Sequence, residues 1–226
     1  AGLIIKELRA RMDLSSVLII CPKPLVAEKK WLQEMKRFDE DFVQLDGESF
    51  RHCIRETDLD EEWPNASAKA ILPFSLLGND ALFGKKGQRG SAEKDGLLGL
   101  DTPPKFDLVI VDEAHNIRNP DTMLHQGVRF FCDNAQAVVF LSATPVQLGQ
   151  GDLFTLLNVL RPDIAIDVPT FEQMAEPNKY INSAIEIVRG AKEGWQEEAK
   201  TEFDKITTTA WGQISLCPTP DFQSIS

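Results

Sequence analysis

The sequence lacks any apolar run approaching the roughly 20 residues needed to cross a bilayer, so no membrane span is expected. Its opening, AGLIIKELRARM, has no basic segment ahead of the apolar stretch and no cleavage-site pattern, which argues against a secretory signal. Cysteine is scarce. Cys21, Cys53, Cys132 and Cys217 stand far apart and form no C-x-x-C pair, so neither a zinc site nor a disulfide framework is indicated. The four are expected to be free thiols of a reducing, intracellular protein. Positive charge is also in deficit: 24 Lys and Arg stand against 35 Asp and Glu, for a net charge of −11. A surface that binds DNA needs clustered cations to displace counterions. The chain as a whole is therefore expected to be soluble and a poor autonomous DNA binder, although a local basic stripe is compatible with that total. Internal repeats are absent.

What is present is ordinary globular composition, with 226 residues, 42% hydrophobic and 26% charged. That length suits one large domain, or one domain with an appendage. Residues 2–12 carry Leu3, Ile4, Leu8 and Met12 at helical spacing, with Lys6, Arg9 and Arg11 on the outside. Val17–Cys21 is a continuous apolar run, as a strand buried on both faces requires. Residues 25–38 return to helical period, with Trp31, Leu32, Met35 and Phe38 on one face. The acidic stretch 39–66 is weakly patterned and reads as loops and short elements. Further buried strands are expected at Ala68–Leu72, Phe106–Val111 and Ala137–Leu141, with helices at 121–132 and 151–160. Residues 84–96 are rich in Gly and charge and read as a surface loop. Strands alternating with helices predict a parallel α/β sheet covered on both faces. After Pro162 the buried-strand runs stop, and 170–211 reads as two helices.

The string FDLVIVDEAHNIRN at 106–119 runs from a buried strand straight into Asp112, Glu113, Ala114 and His115. A carboxylate at the C-terminal end of a parallel strand sits where open α/β sheets bind ligands. Such an Asp can hold the Mg²⁺ of a nucleoside triphosphate, and a neighbouring Glu can orient or deprotonate water. Two adjacent carboxylates after a strand are also common in plain acidic turns, so the longer string carries the assignment. A second strand, Ala137–Leu141, runs into Ser142-Ala143-Thr144-Pro145, whose bland reading is a turn with hydroxyls capping the backbone.

Together these strings resemble motifs II and III of the Swi/Snf-related, helicase-superfamily-two ATPases. Residues 152–162, DLFTLLNVLRP, resemble the helix that follows motif III there. Residues 17–38 resemble motif Ia and its helix, and Ala70–Leu77 occupies the place of motif Ib. The resemblance implies a RecA-like first lobe, with Asp112 holding Mg²⁺, Glu113 activating water, and His115, Ser142, Ala143 and Thr144 coupling nucleotide state to the nucleic-acid side. It also implies Pro22, Lys23 and Ser75 near a phosphate backbone. For Lys23, a surface lysine beside a proline-terminated strand fits the residues as well. Gly84-Lys85 is followed by Lys86, where a phosphate loop needs Ser or Thr, and the family's motif I is expected to lie ahead of Ala1. Lys85, Lys86 and Arg89 read as a solvated loop, His52 and His125 as surface residues, and Trp31 and Trp63 as packing residues.

The expectation is an α/β fold, a RecA-like parallel sheet with helices on both faces, over 1–163, followed by a helical extension and tail over 164–226. The resemblance implies an ATP- and Mg²⁺-dependent translocase on double-stranded DNA that is completed by a second RecA-like lobe. The most similar relatives include the bacterial, RNA-polymerase-associated kind, which implies RNA polymerase as a protein partner and a cytoplasmic, nucleoid-associated location. The segment by itself is expected to be inactive. The rival reading is a non-enzymatic scaffold lobe that binds partners through its C-terminal helices; the net charge and the missing phosphate loop favour it.

Overall fold

The computed structural model describes residues 2–84, 96–142, 150–163, 167–191 and 194–219. It divides into two compact units, Ala1–Leu160 and Arg161–Ser226.

The first unit is built on a five-stranded, all-parallel sheet. Its strands are β1 (Val17–Cys21), β2 (Val43–Gln44), β3 (Lys69–Pro73), β4 (Phe106–Val111) and β5 (Ala135–Phe140), in the spatial order β2-β3-β1-β4-β5. Every pairing is parallel, and the register sets Ile20 beside both Leu72 and Val111, and Val111 beside Phe140. Parallel strands need crossovers, and helices supply them. The helices are α1 (Gly2–Arg11), α2 (Lys23–Ala27), α3 (Lys30–Lys36), α4 (Gly47–Asp60), α5 (Asn79–Leu82), α6 (Met123–Asp133) and α7 (Gln150–Leu160).

The period-two alternation of strand side chains divides the core into two layers. Leu18, Ile20, Ala70, Leu72, Val109 and Val111 face one layer, filled by α4 (Phe50, Cys53, Ile54), α6 (Val128, Phe131) and α7 (Leu156, Val159). Val17, Ile19, Cys21, Ile71, Leu108 and Ile110 face the other, filled by Ile5 of α1 and by Trp31 and Met35 of α3. The one crossover that moves toward the β2 edge uses the α3 layer, and the three that move back use the opposite layer. A constant handedness of crossover demands this division. The second unit contains α8 (Val168–Gly190) and α9 (Trp195–Asp204), which pack on each other and on the short turn Lys205–Thr208; Phe171, Ala184 and Ile206 are buried.

Three local expectations are revised. The helix expected over 25–38 is two helices, because Lys29 adopts φ 54°, ψ 24° and breaks the ladder. The stretch read as loops contains the 14-residue α4, started by a capping box in which Asp46 accepts the Ser49 N–H and Ser49 Oγ accepts the Asp46 N–H. His125 is buried, 4% exposed, with Nδ1 2.7 Å from the Ile117 carbonyl, because it lies on the inner face of the first turn of α6. The four cysteines are free thiols, and burial pushes those of Cys21 and Cys132 up to about 12. Among the described residues no helix is long and apolar enough to cross a membrane.

Candidate functional site

The connection leaving β1 runs toward the β2 edge, while the one leaving β4 runs toward β5. The carboxyl ends of these adjacent strands therefore open a crevice, the place where doubly wound sheets hold ligands. Asp112 is the first residue beyond β4, and its N–H donates to the Ile20 carbonyl at 2.9 Å, so it sits at the mouth of that crevice. The backbone across the next strand is stitched as tightly: Leu141 N–H donates to Val111 O, and Ala114 N–H to Leu141 O, both at 2.9 Å. This ladder places the 112–115 turn against Ser142. The C-terminal edge also carries Pro22 and Lys23, which open α2, and Ser75, in the turn Phe74–Leu76 after β3. Lys23 and Ser75 are exposed, and Ser75 lines a groove of about 310 Å³ with Arg51, Asn79 and Asp80.

Asp112 is held on both carboxylate oxygens. Oδ2 accepts the indole N–H of Trp31 at 3.0 Å, and Oδ1 accepts the Glu113 N–H at 2.9 Å. Glu113 adopts φ 51°, ψ 48°, a left-handed conformation that costs a non-glycine residue on the order of 1–2 kcal/mol. Its Oε2 is shielded from solvent and makes no hydrogen bond. The ring Nδ1 of His115 lies 3.3 Å from that oxygen, without hydrogen-bond alignment, and 3.4 Å from Ser142 Oγ. Glu113, His115 and Ser142 are thus gathered at one point, while Ala143 and Thr144 lie outside the described residues, as do Lys85, Lys86 and Arg89.

Beside Asp112 lies a cleft of about 440 Å³, lined by Leu25, Lys30, Trp31, Arg37 and Leu141 among others. It joins two cationic side chains, Lys30 and Arg37, to two carboxylates, Asp112 and Glu34. Among the described residues no group of three or more His, Cys, Asp or Glu could cage a metal ion. Mg²⁺ needs no such cage, because it keeps several waters and takes one or two carboxylates together with substrate phosphates. Asp112 fits that use, since each of its oxygens has a lone pair to spare after its one hydrogen bond. Trp31, Lys30 and Arg37 were not among the site residues expected from the sequence. Helical period marks Trp31 as an inward residue, but nothing in the string says that it faces residue 112.

A family model described as the SNF2-related domain matches residues 82–203, more than half of the chain. The RNA polymerase-associated protein RapA of Pasteurella multocida (strain Pm70) is 32% identical over 202 residues, which cover 85% of this chain and 19% of that protein. RapA of Pectobacterium carotovorum subsp. carotovorum (strain PC1) is 32% identical over 184 residues, covering 80% and 17%. Among solved structures, the Sulfolobus solfataricus SWI2/SNF2 ATPase core in complex with dsDNA superposes with a TM-score of 0.51 at 17% identity. That match covers 89% of this chain and 35% of the other, and is a likeness of fold: the RecA-like sheet with helices on both faces. The chain spans about a fifth of the length of the curated relatives it matches.

Proposed function

The chain belongs to the SNF2-related family, and from that premise we propose that the crevice beside Asp112 is one half of an ATP-hydrolysing site that drives movement along double-stranded DNA. The observation that carries the reading is the convergence of Asp112, Glu113, His115 and Ser142 on one sheet edge, next to a cleft that holds Lys30 and Arg37.

Asp112 would hold Mg²⁺ on the lone pairs left free by Trp31 and the Glu113 N–H. A Mg²⁺ held there would supply charge neutralisation of the phosphate oxygens. Glu113 offers a shielded oxygen that makes no hydrogen bond and would accept a proton from the attacking water. His115 lies between Glu113 and Ser142 and would carry a change in the water-binding carboxylate to the Ser142-Ala143-Thr144 segment. Pro22, Lys23 and Ser75, on the same edge, would face the phosphate backbone of the nucleic acid. A second RecA-like lobe would close the cleft from outside. The Sulfolobus structure is described in complex with dsDNA, and the curated relatives as RNA polymerase-associated, which supports DNA and RNA polymerase as partners of the complete protein. Such a protein would work in the cytoplasm, on the nucleoid.

Replacing Glu113 with Gln removes the base and keeps shape and backbone conformation. In the complete protein that carries this chain, E113Q is expected to bind ATP normally and to lose roughly 10²-fold or more in turnover. Nucleotide binding and steady-state phosphate release measured together decide the matter. Turnover at the parental rate removes Glu113 from this role.

A further inference from the structure

We propose that Trp31 is a positioning residue for the metal-binding carboxylate: its indole N–H orients Asp112 and, being neutral, leaves that side chain's negative charge for a divalent cation. This rests on the assignment of Mg²⁺ to Asp112 made above.

Three observations carry it. The first is the hydrogen bond itself, Trp31 Nε1 to Asp112 Oδ2 at 3.0 Å, between residues far apart in sequence. An indole N–H only donates and carries no charge. With the Glu113 N–H on Oδ1, the carboxylate has one donor on each oxygen, which fixes its plane and decides which lone pairs point into the cleft.

The second is the disposition of charge around Asp112. Among the described residues no Lys or Arg forms an ion pair with it. The two cations that line the same cleft are engaged by other carboxylates: Lys30 by Glu28 at 2.7 Å, and Arg37 by Glu34 at 3.3 Å. A guanidinium in the place of the indole would orient Asp112 equally well, but would also compete with the metal for it. A neutral donor separates orientation from charge compensation, which is what a side chain waiting for a cation needs.

The third is the local backbone that aims the ring. Lys29 is held at φ 54°, ψ 24°, ending α2 and restarting the chain as α3 one residue before Trp31. Trp31 and Met35, four apart on α3, are both buried and anchor that helix to the sheet, with Trp31 7% exposed. The body of the indole is thereby fixed by packing, and its polar edge is the part presented to Asp112. A buried indole N–H needs an acceptor, and here the acceptor is the candidate metal ligand.

The test uses Mn²⁺ as a paramagnetic substitute for Mg²⁺ in the complete protein, with a non-hydrolysable ATP analogue bound. Bound Mn²⁺ is counted by electron paramagnetic resonance. Trp31→Phe keeps most of the packing and removes the donor, and it is expected to weaken Mn²⁺ binding roughly 10-fold, the lower end of what losing a ligand-orienting hydrogen bond costs. Its melting temperature should stay near that of the parent. Trp31→His, which restores a ring N–H, is expected to recover most of the lost Mn²⁺ affinity. An unchanged Mn²⁺ affinity in W31F overturns the proposal. Equal losses in W31F and W31H overturn it too, because the ring would then act through bulk alone. Asp112→Asn separates the two levels. If D112N leaves Mn²⁺ binding intact, the metal assignment fails and Trp31's role fails with it. If D112N weakens binding and W31F does not, only the role of Trp31 is lost.

Discussion

Glu40 shows at a single residue how burial and charge compete in this molecule. Its side chain is 1% exposed, yet it is ionised, because Arg9 Nη1 lies 2.6 Å from Oε1 and Lys69 Nζ 2.7 Å from Oε2, with Lys6 at 3.6 Å. Burial alone would push its pKa up; the hydrogen bonds and charges of Lys69 and Arg9 outweigh it and hold the pKa below the ordinary carboxylate value. The three cations come from α1 and β3, so this carboxylate ties the first helix to the sheet. Because the folded-state pKa lies below the unfolded one, the stabilisation is complete above the ordinary carboxylate range and disappears as pH falls through the lowered folded-state value. Glu40→Gln is expected to cost about 1.5–3 kcal/mol at neutral pH, the range for hydrogen bonds to charged groups. Urea unfolding at neutral and at acid pH checks this, and the gap between parent and variant should close in acid. A gap independent of pH would mean that shape, and not charge, holds Glu40. Asp107 plays a comparable part at the amino end of β4. Its Oδ2 accepts from the N–H and hydroxyl groups of both Ser15 and Ser16, and these donors outweigh burial to hold its pKa low.

At the scale of elements, the break between α2 and α3 and the hidden helix α4 are where sequence patterning and structure part. The periodicity of 25–38 is real, and Trp31 and Met35 are buried as it requires. Period alone, however, does not report that the chain turns left-handed at Lys29. A lysine there carries a conformational cost that glycine would avoid. Lys29→Gly is therefore expected to stabilise the chain by about 0.5 kcal/mol, since glycine's entropic penalty cancels part of the relief. On a chain of this size that corresponds to a rise in Tm of roughly 1–2 °C, and a calorimetric scan that shows a fall would place the constraint elsewhere. For α4 the signal was present but faint. Phe50, Cys53, Ile54 and Thr57 follow helical spacing, but only three are apolar, and the acidic residues around them mask the face. The Asp46 and Ser49 capping pair was the stronger cue, with Ser where the usual box has Glu or Gln.

At the scale of the whole molecule, the question is what these 226 residues can do unaided. The sequence contains no G-x-x-x-x-G-K-[ST] string, so it carries no phosphate loop of that kind to cradle a triphosphate. The net charge of −11 further disfavours autonomous capture of DNA. The isolated chain is expected to show no DNA-stimulated ATP hydrolysis. Phosphate release above background that disappears in E113Q would contradict this and make the crevice a complete site.

The sequence by itself determined the layered α/β class, the positions of four of the five strands and the strings that end at Asp112 and Ser142. It could do so because a strand buried on both faces must be continuously apolar, and because the carboxyl end of such a strand is where ligands meet the sheet. Only the tertiary structure decided which distant residues meet those strings. The indole of Trp31 reaches Asp112 because α3 restarts at a left-handed Lys29. His125 enters the core because α6 turns that face inward. Glu40 collects Arg9 and Lys69 because α1 and β3 converge on its loop. Local patterns state which side of an element faces inward. They do not state what lies opposite, because that partner is chosen by the packing of elements far apart in sequence.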